Sequence, residues 1–372
     1  MAGLDIFEEA SRQLTICNAC RYCEGFCPVF RALETRRVFK PDDVRYLANL
    51  CHDCRACYEA CMFTPPHEFA VNFPKLMSDA RMESYQHWSW PKFLGRTFSE
   101  PVRGVLLGCV AAAIVYVAAF LTISSGTLVA RHLGAGAFYR VVPYTAMVVP
   151  ALALFLYGAA IWLQGSVRFW KDSDSPLLRA PSGLAPVFRA VGDAFTLRYL
   201  GGGGPGCSYP DEAPSSSRRI FHSLVFWGFL LDFASTTCAF IYEDFRHMLP
   251  PYPLLSAPVI LGTIGGVGLV AGTAGLLWFK ATSNRSLAAE SAYSLDYAFL
   301  VFLGLAAFTG LLTLIFRATP ALGVLLVIHL GSVAALFITA PYGKFVHFVY
   351  RSFALIRYRI EEVGSHAAGG HA

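Results

Sequence analysis

Charge is what this chain has least of. Only 15% of its 372 residues are Asp, Glu, Lys or Arg, against about a quarter in an ordinary soluble protein. Together with 55% hydrophobic residues and a mean hydropathy of +0.48, that scarcity excludes a typical soluble domain and predicts a membrane protein. A secretory signal is also missing: Met1-Ala-Gly-Leu-Asp-Ile-Phe-Glu-Glu is acidic and has no long apolar core, so export is not expected. Glycine is plentiful but is not arranged as a phosphate cradle. The run Gly201-Gly-Gly-Gly-Pro205-Gly has no strand before it and no Lys-Ser/Thr helix start after it, which argues against nucleotide binding. No flavin or nicotinamide fingerprint and no solenoid repeat is present, and no nucleic-acid partner is expected.

What is there, beyond Pro101, is a series of apolar stretches. Six are long enough for a bilayer, which takes about 20 helical residues: about 104 to 124, 141 to 163, 220 to 241, 254 to 279, 297 to 316 and 321 to 346. The loops at 164 to 219 and 280 to 296, with the chain from 343 on, carry 13 Lys/Arg, whereas 125 to 140, 242 to 254 and 317 to 320 carry 4. By the positive-inside rule both chain ends face the cytoplasm of an inner-membrane protein. The 164 to 219 loop, rich in Gly, Pro and Ser, reads as irregular and mobile.

Before the spans stand two cysteine runs with the same spacing, Cys17-x2-Cys20-x2-Cys23-x3-Cys27-Pro28 and Cys51-x2-Cys54-x2-Cys57-x3-Cys61, using eight of eleven cysteines. C-x2-C-x2-C-x3-C is the spacing of two-cluster ferredoxins, in which the fourth cysteine of each run serves the other cluster. Crossed ligation puts Cys17, Cys20, Cys23 and Cys61 on one [4Fe-4S] cluster and Cys51, Cys54, Cys57 and Cys27 on the second. Zinc ribbons use pairs of C-x2-C, and a disulfide framework would suit a small secreted domain; neither fits runs of four. The second run departs from the pattern, with Met62-Phe-Thr before Pro65-Pro66. Short helices are expected at 4 to 13 and at 41 to 50, with Pro41 and Asp42-Asp43 in the first turn of the second. The cysteine runs are expected to follow these helix ends. Cys207 reads as a spectator thiol, Cys109 and Cys238 as packing residues, and His52 and His67 as hydrogen-bonding or surface residues.

Polar residues within spans are costly in lipid and so point to function. His222 opens the third span. His329 and His347 lie 18 residues apart, ~27 Å of helix rise, on opposite sides of the bilayer. Because the third span runs outward and the sixth returns, His222 and His347 come to the same cytoplasmic depth, where two facing histidines can clamp a haem iron. Asp232, ten residues beyond His222, reaches the depth of His329, so a hydrogen bond from His329 to Asp232, Thr236 or Thr237 competes with a ligand role.

The double cysteine motif, followed by Phe221-His222, Gly228, Asp232, Ile328-His329-Leu and Ala340-Pro341-Tyr-Gly-Lys344-Phe-Val-His347, resembles the tricarballylate-utilisation protein B family, also called citrate-utilisation B, over essentially the whole chain. Its membrane half is similar to the haem-binding gamma subunit of respiratory nitrate reductase, where histidines ten apart on one helix and eighteen apart on another hold two b haems. Asp232 stands at the tenth position here, so the resemblance implies one b haem on His222 and His347 and leaves a second in doubt. Asp232 and His329 are then candidates for the vacated site or for a quinone head group, and Lys344 and Arg351 for a haem propionate.

The fold implied is all-α: an N-terminal α-helical two-cluster ferredoxin domain (1–95), a polytopic six-helix transmembrane bundle (102–350) and a cytoplasmic tail (351–372). The function implied is an electron-transfer subunit embedded in the lipid bilayer, with substrate oxidation on a partner. It would pass electrons from a cytosolic FAD-dependent tricarballylate dehydrogenase through both clusters and the haem to membrane quinone. A quinol-oxidising subunit feeding a fumarate- or heterodisulfide-type reductase, and a non-enzymatic redox sensor or anchor, are the alternatives.

Overall fold

The computed structural model of the chain describes residues 5–100, 102–173, 183–202 and 206–369. Gly203, Gly204 and Pro205 of the glycine run, and the last three residues of the expected tail, lie outside the described residues. The chain is all-α, with a single isolated bridge, Ser208 to Pro214, as its extended pairing among the described residues.

The first helix, α1 (Ile6–Cys20), starts where the Asp5 carboxylate accepts from the Phe7 N–H, with Glu8 and Glu9 favouring the positive end of the helix dipole. It runs seven residues past the expected end at 13. No Gly or Pro interrupts it before Arg21, which closes it in the left-handed conformation at φ 55°. Cys17 and Cys20 therefore sit on its last turn rather than after it. α2 (Pro28–Glu34) and α3 (Pro41–Leu50) each open with proline in the first turn, where no N–H is missed. Cys27 and Cys51, extended, flank them. α4 (Ala56–Glu59) is one turn, and α5 (Phe73–Trp88) is capped by the Asn72 side chain on Lys75 N–H. α6 (Lys92–Ser99) turns its Leu94 and Phe98 onto Ile161 and Tyr342 and leaves Phe93 exposed.

Six helices are long and apolar enough to cross a membrane. They are α7 (Arg103–Thr122), α9 (Tyr144–Asp172), α11 (Ser217–Phe240, prolonged by a π turn to Phe245), α12 (Ala257–Thr282), α13 (Glu290–Ile315) and α14 (Leu322–Thr339). A short α8 (Ser125–Leu128) lies between α7 and α9. The segment between α9 and α11 contains an ordered helix, α10 (Ala185–Phe195), where an irregular chain was expected. α10 forms because Pro186, Ala190 and Asp193 share one buried face against the last helix, α15 (Val346–Gly369).

α14 is the axis of the bundle: half of its apolar window is buried in protein, against 11% for α7, α9 and α11, whose side chains face lipid. α7 and α13 flank α14, then α12 follows α13 and α11 follows α12. The α11–α12 contact is the closest because small residues let the backbones meet. A Cβ on Gly228 would lie 2.8 Å from the Gly265 carbonyl oxygen, and one on Gly272 would lie 2.8 Å from that of Phe221.

The expected tail is most of α15, which leaves the membrane and packs into the N-terminal helices. One apolar core runs through Leu47 and Leu50 of α3, Met77 and Trp88 of α5, Phe169 of α9, Leu295 of α13 and Tyr350, Leu355 and Tyr358 of α15. Around it, Glu361 accepts from Arg36 (2.6 Å), Arg357 (2.9 Å) and the Tyr46 hydroxyl (3.2 Å). The cysteine-bearing domain is thereby seated on the inner end of the bundle.

Candidate functional site

All eleven cysteines are free. The thiols of the two runs act on one another across the runs: Cys61, Cys23 and Cys20 on Cys17, Cys54 and Cys51 on Cys27, and Cys54 also on Cys23. Helix α1 supplies Cys17 and Cys20, and the turn that follows supplies Cys23. Cys61 arrives at the end of the next run, its Sγ accepting from Phe63 N–H at 3.4 Å. The two-residue spacers between these cysteines need left-handed backbone at Arg21, Asp53 and Arg55, with φ of 55°, 52° and 63°. A partly open hollow lies among Cys17, Cys20, Cys23, Cys57 and Cys61, walled by Phe30, Phe63 and Phe73.

Burial first, and the neighbouring thiols second, push Cys17 and Cys23 up to about 12. Burial likewise raises Cys54 to about 12, and lifts Cys27, Cys57 and Cys61. Thiols so crowded keep their protons until a metal displaces them, which is the chemistry of a soft-metal or iron–sulfur site. The two runs differ in place: Cys20 is exposed, whereas Cys51 is buried on the membrane side.

The backbone around Cys51 is ringed by arginine. Arg81 of α5 donates to the carbonyls of Ala48 (2.9 Å) and Cys51 (2.7 Å). Arg351 of α15 donates to Cys51 and Leu50, both at 3.2 Å. Arg218 of α11 donates to His52 (3.0 Å) and Asp53 (2.6 Å). Arg55, only 2% exposed, and Arg218 lie over the Tyr209 ring at 4.4 and 4.7 Å. Ser208 N–H bonds the Cys54 carbonyl at 2.9 Å, which lays the segment between α9 and α11 across this site and buries Cys207 beside Cys54. His52 is half-buried, and desolvation first, then Arg351, Arg218 and Arg81, hold it well below the usual histidine range. It stays neutral, with its Nδ1 unpartnered. Of these arginines the sequence singled out Arg351, as a propionate partner, and it bonds main-chain carbonyls here; for Arg218 the available signal was the Arg218-Arg219 pair one turn before His222.

His222 and His347 come together. Their rings lie 6.2 Å apart between centroids and at 90° to one another. His347 Nδ1 bonds the Lys344 carbonyl at 2.7 Å, which leaves Nε2 free. His222 Nδ1 is buried and without a partner. Phe345 stands beside them, stacked on Trp162 (5.1 Å) and edge-on to Phe229 (5.1 Å). Lys344 pairs not with a solvent ion but with Asp296 of α13 (2.7 Å), which Lys280 of α12 also holds. Two imidazole nitrogens facing one another across an aromatic-walled space can take one metal between them.

Asp232 and His329 are not brought together. Asp232 of α11 lies against Gly265 of α12, and its Oδ1 has no partner. His329 of α14 bonds Thr309 of α13 at 3.1 Å, in place of Asp232, Thr236 or Thr237. Thr236 and Thr237 instead bond carbonyls of their own helix. A threonine on α13 was not weighed because depth alone cannot tell which neighbouring helix a side chain faces.

The family described as Citrate utilization protein B matches residues 98–368, and the family described as Citrate utilization protein B Fer4-like domain matches residues 10–87. A protein of Escherichia coli described as Citrate utilization protein B is 41% identical over 362 residues, which cover 97% of this chain and 94% of that protein. No solved structure matches. A Fer4-like domain with this cysteine cluster is an iron–sulfur domain, and the six apolar helices make the chain a membrane protein. Both matches and the near full-length identity place the chain in the citrate utilization protein B family.

Proposed function

We propose that this chain is the membrane electron-transfer subunit of a citrate or tricarballylate oxidation system. It takes electrons from a cytosolic FAD-dependent tricarballylate dehydrogenase and passes them, by way of two [4Fe-4S] clusters and a b haem, to the quinone pool of the cytoplasmic membrane. The observation that carries this reading is the adjacency of the inner cysteine group to the histidine pair. Arg351 bonds the Cys51 carbonyl and lies four residues after His347; Arg218 bonds the His52 and Asp53 carbonyls and lies four residues before His222. On each of two helices an arginine about one turn from the histidine reaches the backbone of the inner cysteine run.

When bound, clusters and haem supply one-electron carriers that side chains lack. The residues hold and orient them. Cys17, Cys20, Cys23 and Cys61 form the outer ligand set, and Cys51, Cys54, Cys57 and Cys27 the inner one. Protons held by these crowded thiols leave as the sites load. His222 and His347 would hold the haem iron: their rings lie 6.2 Å apart, and the Lys344 carbonyl, accepting from His347 Nδ1, leaves its Nε2 free to bind. Asp232, with its unpartnered Oδ1, is assigned to proton exchange with quinone, while Thr309 satisfies His329. Quinone reduction collects two electrons and two protons. Six spans and basic inner loops support cytoplasmic placement of both ends.

The test is reoxidation of the chemically reduced, purified full-length protein by a water-soluble quinone analogue. Wild type is expected to reduce the analogue, and His347→Ala to lose that reaction while retaining its iron. Wild-type protein that leaves the analogue oxidised overturns the reading.

A further inference from the structure

Arginines that bind carbonyls, rather than acids, are unusual in a sequestered site. Arg81, Arg218 and Arg351 come from three helices and converge on residues 48–53, where their donors go to main-chain oxygens, with Arg218 also 4.0 Å from Cys207 Sγ. No carboxylate lies within 4.0 Å of any of them among the described residues. The nearby acids reach them only at longer range: Asp296 is held by Lys280 and Lys344, and Asp53, 3.8 Å from Arg55, acts on Arg218 and Arg81 from further off. Burying cations without counter-ions is unfavourable. A cluster on four thiolates carries net negative charge and supplies the missing anion beside Cys51.

The outer cysteine group has no such collar. Arg21 is exposed there, and the neighbouring Glu24 and Glu34 set acids against it. Water screens these charges. Main-chain donors are unequal in the same sense. Asp53 N–H points at Cys51 Sγ (3.4 Å), Ala56 N–H at Cys54, and Val29 and Phe30 N–H at Cys27, whereas the outer group receives Phe63 and Thr64 N–H on Cys61. Cations and amide donors both favour the form with the extra electron. Deeper burial of the inner group disfavours added negative charge, but the same low dielectric leaves the arginine fields unscreened.

We propose that Arg81, Arg218 and Arg351 hold the inner cluster, on Cys51, Cys54, Cys57 and Cys27, at a higher reduction potential than the outer cluster on Cys17, Cys20, Cys23 and Cys61. One electron then leaves the outer cluster, oxidising it, and reduces the inner one, with no proton moved. The step toward the membrane runs downhill, and the exposed group is where electrons enter. This rests on the two-cluster reading of the cysteines.

The experiment is a redox titration of the full-length protein in detergent, followed by electron paramagnetic resonance, with iron and sulfide assayed on the same samples. Wild type gives two one-electron transitions. Cys20→Ala removes the lower one. Arg351→Gln and Arg218→Gln, on different helices, move the upper transition to more negative potential and leave the lower in place, while Arg351→Lys keeps the upper near its wild-type value. Iron corresponding to fewer than two clusters overturns the two-cluster reading and the proposal with it. With iron intact, the proposal alone is overturned if Cys20→Ala removes the upper transition, if neither Gln variant shifts it, or if Arg351→Lys shifts it as far as Arg351→Gln.

Discussion

Cys61 and Cys27 are the two residues that tie the cysteine runs to each other. In the proposed crossed ligation each leaves its own run to join the other group, which would make the fold of the N-terminal helices and the loading of its sites depend on one another. Replacing Cys61 by Ser is expected to lower the iron content from about eight to about four per chain and to spare the inner site. Cys27→Ser is expected to remove the inner one instead. Loss of the same spectroscopic signal in both variants would contradict the crossed grouping. At this scale spacing carries far for the cysteines, two and three apart. His222 and His347 do meet, but the span expected to run unbroken through His329 and His347 ends at Thr339. His347 lies on α15 beyond the break, so counting residues along one helix did not fix its depth. Arg81 and Arg218 stayed hidden because their partners are carbonyls, which every residue has and no pattern marks, whereas Arg351, expected at a propionate, bonds the Leu50 and Cys51 carbonyls.

Between elements, the tightest joint is α11 on α12. Gly265 lies where a Cβ would come within 2.8 Å of the Gly228 carbonyl oxygen and 2.9 Å of Asp232 N. Gly265→Val is expected to spread the helices and cost about 1–3 kcal/mol as overpacking, seen as a lower detergent melting temperature. The same change tilts α11 and its His222, so weaker haem retention should accompany it. An unchanged melting temperature would show that the helices do not need this approach. Spans were legible here because a bilayer imposes a length, but neighbours within the bundle were not: apolar side chains face lipid and protein alike. The end of α1 was misjudged by seven residues because the stop is the left-handed Arg21, a conformation that no glycine announces.

At the scale of the molecule, α15 couples the two halves. Glu361 joins Arg36 and Tyr46 of the N-terminal helices to Arg357 on its own helix. Glu361→Ala leaves two mostly buried guanidiniums short of a partner and is expected to cost about 2–3 kcal/mol, below the full buried-pair value because Glu361 keeps 24% of its side chain exposed. Limited proteolysis should then cut the exposed joint between α5 and α7 faster; equal rates would mean that α15 does not hold the domain down. Composition could not foretell this role, since a charged C-terminal stretch reads as a tail until its partners, more than 300 residues away in sequence, are known.

The account turns on whether the inner cysteine group faces a haem held by His222 and His347. The most direct measurement is the reduced-minus-oxidised difference spectrum of the purified full-length protein, compared with His222→Ala, His347→Ala and His329→Ala at equal iron content. A b-type spectrum in wild type and His329→Ala, and none in the other two, is the predicted result. A b-type spectrum that survives both His222→Ala and His347→Ala, or that vanishes only in His329→Ala, would contradict it.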